Sequence, residues 1–156
     1  MYKDKSKLIN VLLAIWQLPQ ILLGLICLCI FRNKEEYTNP YNHITVWKIS
    51  SKGLFGNACF STGPVIVVCS KDVSENTLRH ETGHSKQSIY LGWLFHIIIS
   101  IPSVSRFWYR RIFNKSQEWY HSGYPENWAD NLGGVGKEIP KEKMITEDVD
   151  KKEINK

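Results

Sequence analysis

The run Ser74-Glu75-Asn76-Thr77-Leu78-Arg79-His80-Glu81-Thr82-Gly83-His84-Ser85-Lys86-Gln87, continued by the uncharged stretch 88–105, decides how this chain is read. Ser74 or Asn76 can cap a helix, because a short polar side chain takes up a free amide of the first turn, and no proline intervenes before Pro102. The pattern predicts a helix that begins near residue 75, turns wholly apolar after Gln87 and ends or bends at Pro102. Residues four apart share one helical face, so the imidazoles of His80 and His84 can meet one cation, with the Glu81 carboxylate beside that face. This is the HExxH arrangement. Zinc suits such a pair; it polarises a carbonyl and acidifies water, while a glutamate in the position of Glu81 takes the water's proton and passes it to a leaving amine. Gly83 weakens a helix interior by about 1 kcal/mol with no return visible in the sequence.

A reactive zinc needs a third protein ligand and one open position. The extended HExxHxxGxxH pattern would require glycine at 87 and histidine at 90, where the chain has Gln87 and Tyr90. The best remaining source lies downstream, in Tyr124-Pro125-Glu126-Asn127-Trp128-Ala129-Asp130. Pro125 suits a first helical turn, and Glu126 and Asp130 share a face. An HExxH helix joined to a second helix with a glutamate and, four residues on, an aspartate is similar to the thermolysin-like group, the gluzincins. That resemblance implies Glu126 as the third ligand and Asp130 as the carboxylate that orients His80; His121 is the main rival ligand. Tyr120, His121 and Tyr124 are candidates to donate a hydrogen bond to the oxyanion of a tetrahedral intermediate, a role such sites require. Interfacial packing accounts for the tyrosines equally well.

The rest of the chain is patchy. At 156 residues it has room for one domain, and 43% apolar against 22% charged residues exclude whole-chain disorder and a coiled-coil rod. The excess of 20 basic over 15 acidic side chains lies beside apolar segments, with Lys3, Lys5 and Lys7 before the first and Arg106, Arg110, Arg111 and Lys115 after the second. That placement suits anchors to anionic lipid headgroups, and with no basic-aromatic reader motif no nucleic-acid partner is expected. None of the four cysteines forms a CxxC pair, so unpaired structural thiols are expected at Cys27, Cys29, Cys59 and Cys69. Residues 44–69 are β-branched and aromatic with interspersed glycines, which predicts two or three short strands after an Asn39-Pro40 turn. The stretch Gly63 to Val68 is a candidate to pair with an extended peptide at a sheet edge. His43 is expected in solvent and His96 in helix packing.

Leu8 to Phe31 runs 24 residues without a charge, enough for about 36 Å of helix, with Gln17, Pro19 and Gln20 in its middle. A kinked span and a re-entrant hairpin both fit; a cleaved signal peptide fits less well, since no small-x-small site precedes Arg32. A second span across 87–105 would leave His80 and Glu126 on opposite sides of a bilayer. A segment that dips into one leaflet and returns at Pro102, or lies in the interface with Trp108 and Tyr109 among its arginines, keeps them together. A first-segment hairpin puts the site on the cytoplasmic side, a span puts it outside.

The wider pattern, HETGHSKQSIYLGW (80–93), IPS (101–103), ENWADNLGG (126–134) and QLPQILLG (17–24), resembles a family of small bacterial membrane-associated HExxH proteins across about residues 8 to 31 and 58 to 135. The resemblance implies a predicted zinc metallopeptidase at the bacterial cell membrane, with a peptide or protein substrate and a lipid bilayer as partners. The site-2 protease family is less similar, because its aspartate motif is missing. The expected fold is α+β and membrane-associated: an N-terminal apolar helix or hairpin (1–31), a metallopeptidase-like domain (32–136) with short strands and two ligand helices, and a charged, disordered tail (137–156). The competing expectation is a zinc-holding membrane protein that hydrolyses nothing and uses the ion for structure or partner binding; a third is an accidental motif in a lipid or toxin-immunity protein.

Overall fold

A computed structural model of the chain describes residues 7–31, 34–50, 59–68 and 73–138. The expectations for Lys3, Lys5, Cys69 and the tail from residue 139 onward lie outside the described residues. Among the described residues the architecture is α+β: six α-helices and a four-stranded sheet. In chain order these are α1 (Lys7–Trp16), α2 (Leu18–Ile30), β1 (Lys34–Thr38), β2 (Thr45–Ser50), β3 (Phe60–Ser61), β4 (Val65–Val68), α3 (Glu75–Leu91), α4 (Ile101–Ile112), α5 (Gln117–Ser122) and α6 (Glu126–Gly133). The sheet runs β1-β2-β4-β3, with β2 and β4 parallel and the other pairs antiparallel.

Val65-Ile66-Val67-Val68 is apolar throughout because β4 is covered on both faces. Ile66 and Val68 pack with Ile44, Val46 and Leu78 on the α3 side, while Val65 and Val67 pack with Ile49 and Cys27 on the α2 side. Three of the strands fall within the 44–69 stretch as expected. β1 was not foreseen: Lys34-Glu35-Glu36-Tyr37-Thr38 is a largely exposed edge strand that pairs along β2 from Lys34 opposite Ile49 to Thr38 opposite Thr45. The idea that Gly63 to Val68 offers an edge to a peptide is corrected, since β4 has a strand on each side.

The first apolar segment forms two helices bent by 82° at Gln17. Pro19 has no N–H to give the carbonyl of Ile15, and that carbonyl instead accepts the indole N–H of Trp93 at 2.8 Å. The exchange is mutual at the end of α3, where the Trp16 indole donates to the Ile89 carbonyl at 2.9 Å, the Gln20 amide donates to the Gly92 carbonyl, and Ser88 Oγ donates to Gln17 Oε1 at 2.9 Å. The two amides in the middle of the segment, Gln17 and Gln20, therefore face protein. The chain turns by 120° between Leu94 and His96, not at Pro102, which sits in the first turn of α4. Gly92, with φ at 51°, starts that turn, and a Cβ there would run into the Trp16 indole. Among the described residues no single helix is long and apolar enough to cross a membrane.

Candidate metal centre

The helix that carries the HExxH run is polar yet buried: every residue from Leu78 to Ser85 is shielded from solvent. Its N-terminus is capped by Ser74, whose hydroxyl accepts the Thr77 amide at 3.2 Å, as the sequence allowed. A helix this polar is buried only where its side chains find partners, and here α6 supplies them. The two helices meet at glycines. A Cβ on Gly83 would overlap the Ala129 carbonyl, and one on Gly133 would overlap the carbonyl of Arg79. Gly83 thus has a structural return that the sequence did not display: it lets two helical backbones touch.

That contact brings Glu126 to the histidine pair. Glu126 Oε2 lies 3.1 Å from His80 Nε2 and 3.2 Å from His84 Nε2, with all three side chains buried. Donors bound to one tetrahedral zinc at about 2.0–2.1 Å stand about 3.4 Å apart. The three ligand atoms lie within 4.8 Å of one another, close enough to bind one metal ion. His121, the rival ligand, stands instead in a second group with His80 and Asp130.

The second nitrogen of each histidine is tied down. His80 Nδ1 donates to Asp130 Oδ1 at 2.7 Å, and Asp130 Oδ2 accepts from His121 Nδ1 at 3.0 Å. For His84 the partner is Gln87, which sequence reasoning passed over. The Gln87 amide donates to the Pro125 carbonyl at 3.1 Å, so its Oε1 must accept from His84 Nδ1, 2.7 Å away. Both rings therefore carry a proton on Nδ1 and turn Nε2 toward Glu126. A signal was present in the chain, since Gln87 follows His84 by three positions on one helix; its use depends on where α6 lies. Asn39 was also missed as a brace. Its buried amide donates to Thr82 Oγ1 and, at 3.0 Å, to the Gly133 carbonyl, pinning both site helices to the turn between β1 and β2. Arg79 closes the far end of α6 by donating to the carbonyls of Gly134 at 3.2 Å and Lys137 at 2.9 Å.

The electrostatics follow from burial and pairing. Burial would raise the pKa of Glu126, but hydrogen bonds from His80 and His84 hold it well below the ordinary carboxylate range. Asp130 is likewise pulled down to about 2 by His121 and His80 against a burial effect of opposite sign. Burial lowers the pKa of His80, yet its bonds to Asp130 and Glu126 prevail and lift it to about 10 in the metal-free protein. Glu81 is different. Burial pushes its carboxyl up, and among the described residues no donor reaches its Oε2, a buried oxygen, just as none reaches Glu126 Oε1. Two buried carboxylate oxygens without partners beside a histidine pair fit a site that takes up a cation and water.

The site opens into a cleft of about 1140 Å³, which His80, Glu81, His121 and Asp130 line together with Phe107, Arg110 and Tyr120. Burial and the charge of Glu126 keep the Tyr120 phenol protonated well above its usual range, with its hydroxyl 3.3 Å from Ser103 Oγ. Tyr124 is turned away: its hydroxyl donates to the Ile98 carbonyl at 3.0 Å. His96 Nδ1 lies 3.1 Å from Ser100 Oγ and its ring packs on Phe95, and His43 is exposed, so neither joins the cluster. No protein-family model, curated protein or solved structure matches the chain, and the site is read from its own geometry.

Proposed function

We propose that the chain is a membrane-associated zinc metallopeptidase that cleaves peptide bonds with Glu81 as general base. The observation that carries this reading is the buried, raised-pKa carboxyl of Glu81, one oxygen unpartnered, beside the point where His80, His84 and Glu126 converge. In this reading His80, His84 and Glu126 hold the zinc, while Asp130 and Gln87 fix the two rings with Nε2 inward. The bound ion supplies Lewis acidity and acidifies water. Glu81 takes the proton of the attacking water and returns it to the departing amine; a carboxyl whose pKa lies above the free value suits both directions of transfer. In this reading His121 and Tyr120, which line the cleft, donate to the oxyanion of the tetrahedral intermediate.

Membrane association is supported by what the fold leaves uncovered. Leu12, Ile15, Leu22 and Ile26 of the first two helices, and Trp93, Ile97, Ile101, Val104, Trp108 and Ile112 around the second bend, are all more than half exposed. Trp93 lies against α1, where Ile9, Leu12, Ile15 and Trp16 share an apolar groove with it, so the two sets adjoin. Two bent helix pairs with interfacial tryptophans suit immersion in one leaflet of a bacterial cell membrane.

Zinc content and peptide hydrolysis of the purified chain test the proposal together. One zinc per chain is expected, lost in His84→Ala and Glu126→Ala. Glu81→Gln should keep the ion and lose cleavage by at least about a hundredfold. A Glu81→Gln protein as active as the parent refutes the mechanism. A parent that holds zinc but cleaves nothing favours the structural or partner-binding role.

A further inference from the structure

We infer that the cleft in front of the metal centre selects peptides with an acidic side chain, which Arg110 receives, assisted by Arg111 and Lys115. This rests on the peptidase reading and gives its substrate class. α4 has two unlike faces. Ile101, Val104, Trp108 and Ile112 look outward, whereas Phe107 and Arg110 turn toward α5 and line the cleft with it. Arg110 is therefore not the lipid anchor that its place in the sequence suggested. Arg106 is not one either, since it caps α5 by donating to the carbonyls of Trp119 and, at 2.8 Å, Tyr120.

The Arg110 guanidinium sits 5.8 Å from the centre of the Tyr120 ring and 5.9 Å from that of Phe107, and among the described residues its buried Nε has no acceptor. A guanidinium set beside two rings with a donor unmet is ready for a carboxylate. Arg111 and Lys115 line the same wall, and no described carboxylate pairs with any of the three. The acids of the described lining are Glu81 and Asp130, both committed to the metal centre. Beyond that centre the cleft is cationic, and a walled groove of one sign concentrates ligands of the other. The distance is short: Tyr120 packs on His121 at 5.3 Å between ring centres and His121 on His80 at 4.9 Å. An extended peptide rising about 3.3 Å per residue covers that path in a few residues.

The test uses the full chain in detergent, zinc-loaded and carrying Glu81→Gln to prevent turnover. Fluorescein-labelled decapeptides that differ by a single Glu or Gln are titrated by anisotropy. The Glu peptide should bind at least about tenfold tighter at low salt. The ratio should fall close to one in Arg110→Gln and be partly kept in Arg110→Lys. Should Arg110→Gln fail to retain zinc, the double variant Arg111→Gln, Lys115→Gln serves instead, with a loss of about threefold in the ratio. Equal binding of the two peptides by the parent overturns the inference, and so does a ratio that survives in Arg110→Gln. It is also overturned if both peptides weaken equally, which marks a packing role, or if only phosphatidylglycerol vesicles are bound less, which marks a headgroup site. Failure of the parent sequence to cleave either peptide counts against the peptidase reading alone, because the binding ratio decides this one.

Discussion

Replacing Gly83 with alanine separates helix propensity from packing, because the two predict opposite signs. In an ordinary helix interior the change stabilises by about 1 kcal/mol. Here the new Cβ meets the carbonyl of Ala129, a backbone atom that no rotamer change can move aside. To restore an ordinary contact, α3 and α6 must separate by about an ångström. Overpacking of this kind costs about 1–3 kcal/mol, so the net effect is a loss of up to about 2 kcal/mol, or up to about 8 °C in melting temperature for a chain of this size. The effect on the metal centre should be larger. Ala129 lies between Glu126 and Asp130 on α6, and ligand distances tolerate only about 0.2 Å. Gly83→Ala is thus expected to lose zinc while keeping its helical content. Thermal melts with and without chelator, beside zinc analysis, read both quantities. A Gly83→Ala protein that melts higher than the parent and binds one zinc would refute the close contact and the ligand set built on it.

Three further outcomes follow from the same geometry. Asp130→Asn removes the charged partner of both His80 and His121, so zinc affinity should fall about 10–100-fold in chelator competition; an unchanged affinity would detach Asp130 from the site. In the metal-free protein the raised pKa of His80 means that its bonds stabilise the fold fully below the ordinary value of 6.5 and less as pH climbs toward 10. Over that window the ion must displace the extra proton of His80, so apparent zinc affinity should rise by up to about tenfold per pH unit, and a flat profile from pH 6 to 9 would contradict it. Ile97→Lys with Ile101→Lys places charge on side chains that are 65% and 60% exposed, so co-sedimentation with vesicles should drop by at least about tenfold while zinc content holds. Undiminished sedimentation would remove this face from the lipid contact.

Much of the site was legible because it is local. His80, Glu81 and His84 are placed by one helical period, and Glu126 and Asp130 by another, so the residues that meet could be named before the fold was known. What escaped depends on how separate elements dock. Gln87 looks like a failed match to a longer motif until the Pro125 carbonyl fixes which end of its amide faces His84. Gly83 looks like a flaw until α6 lies against it. The bend is expected at Pro102 because proline breaks helices, but Pro102 sits in the first turn of α4, and the turn falls between Leu94 and His96, just after Gly92, where the Trp16 indole leaves no room for a Cβ. β1 carries three charges in five residues and reads as a loop, since an exposed edge strand needs no apolar alternation.

These dockings converge on α3, and that convergence explains why a helix so polar can be central. One flank rests on the sheet through Leu78, another meets α6 at Gly83, and the C-terminal end is held by Trp16 and Gln20 of the bent N-terminal pair. Without those three supports a helix of this composition would have no apolar stripe to bury and little reason to form. Among the described residues the cleft between α3 and the α4–α5 wall opens on His80 and Glu81, and Tyr120, His121 and Arg110 line it beside them. The apolar bends and the metal centre are then two ends of the same helix. A lipid surface that seats Trp93, two residues past the end of α3 and before the 120° turn, would bear on the orientation of the helix that carries His80 and His84.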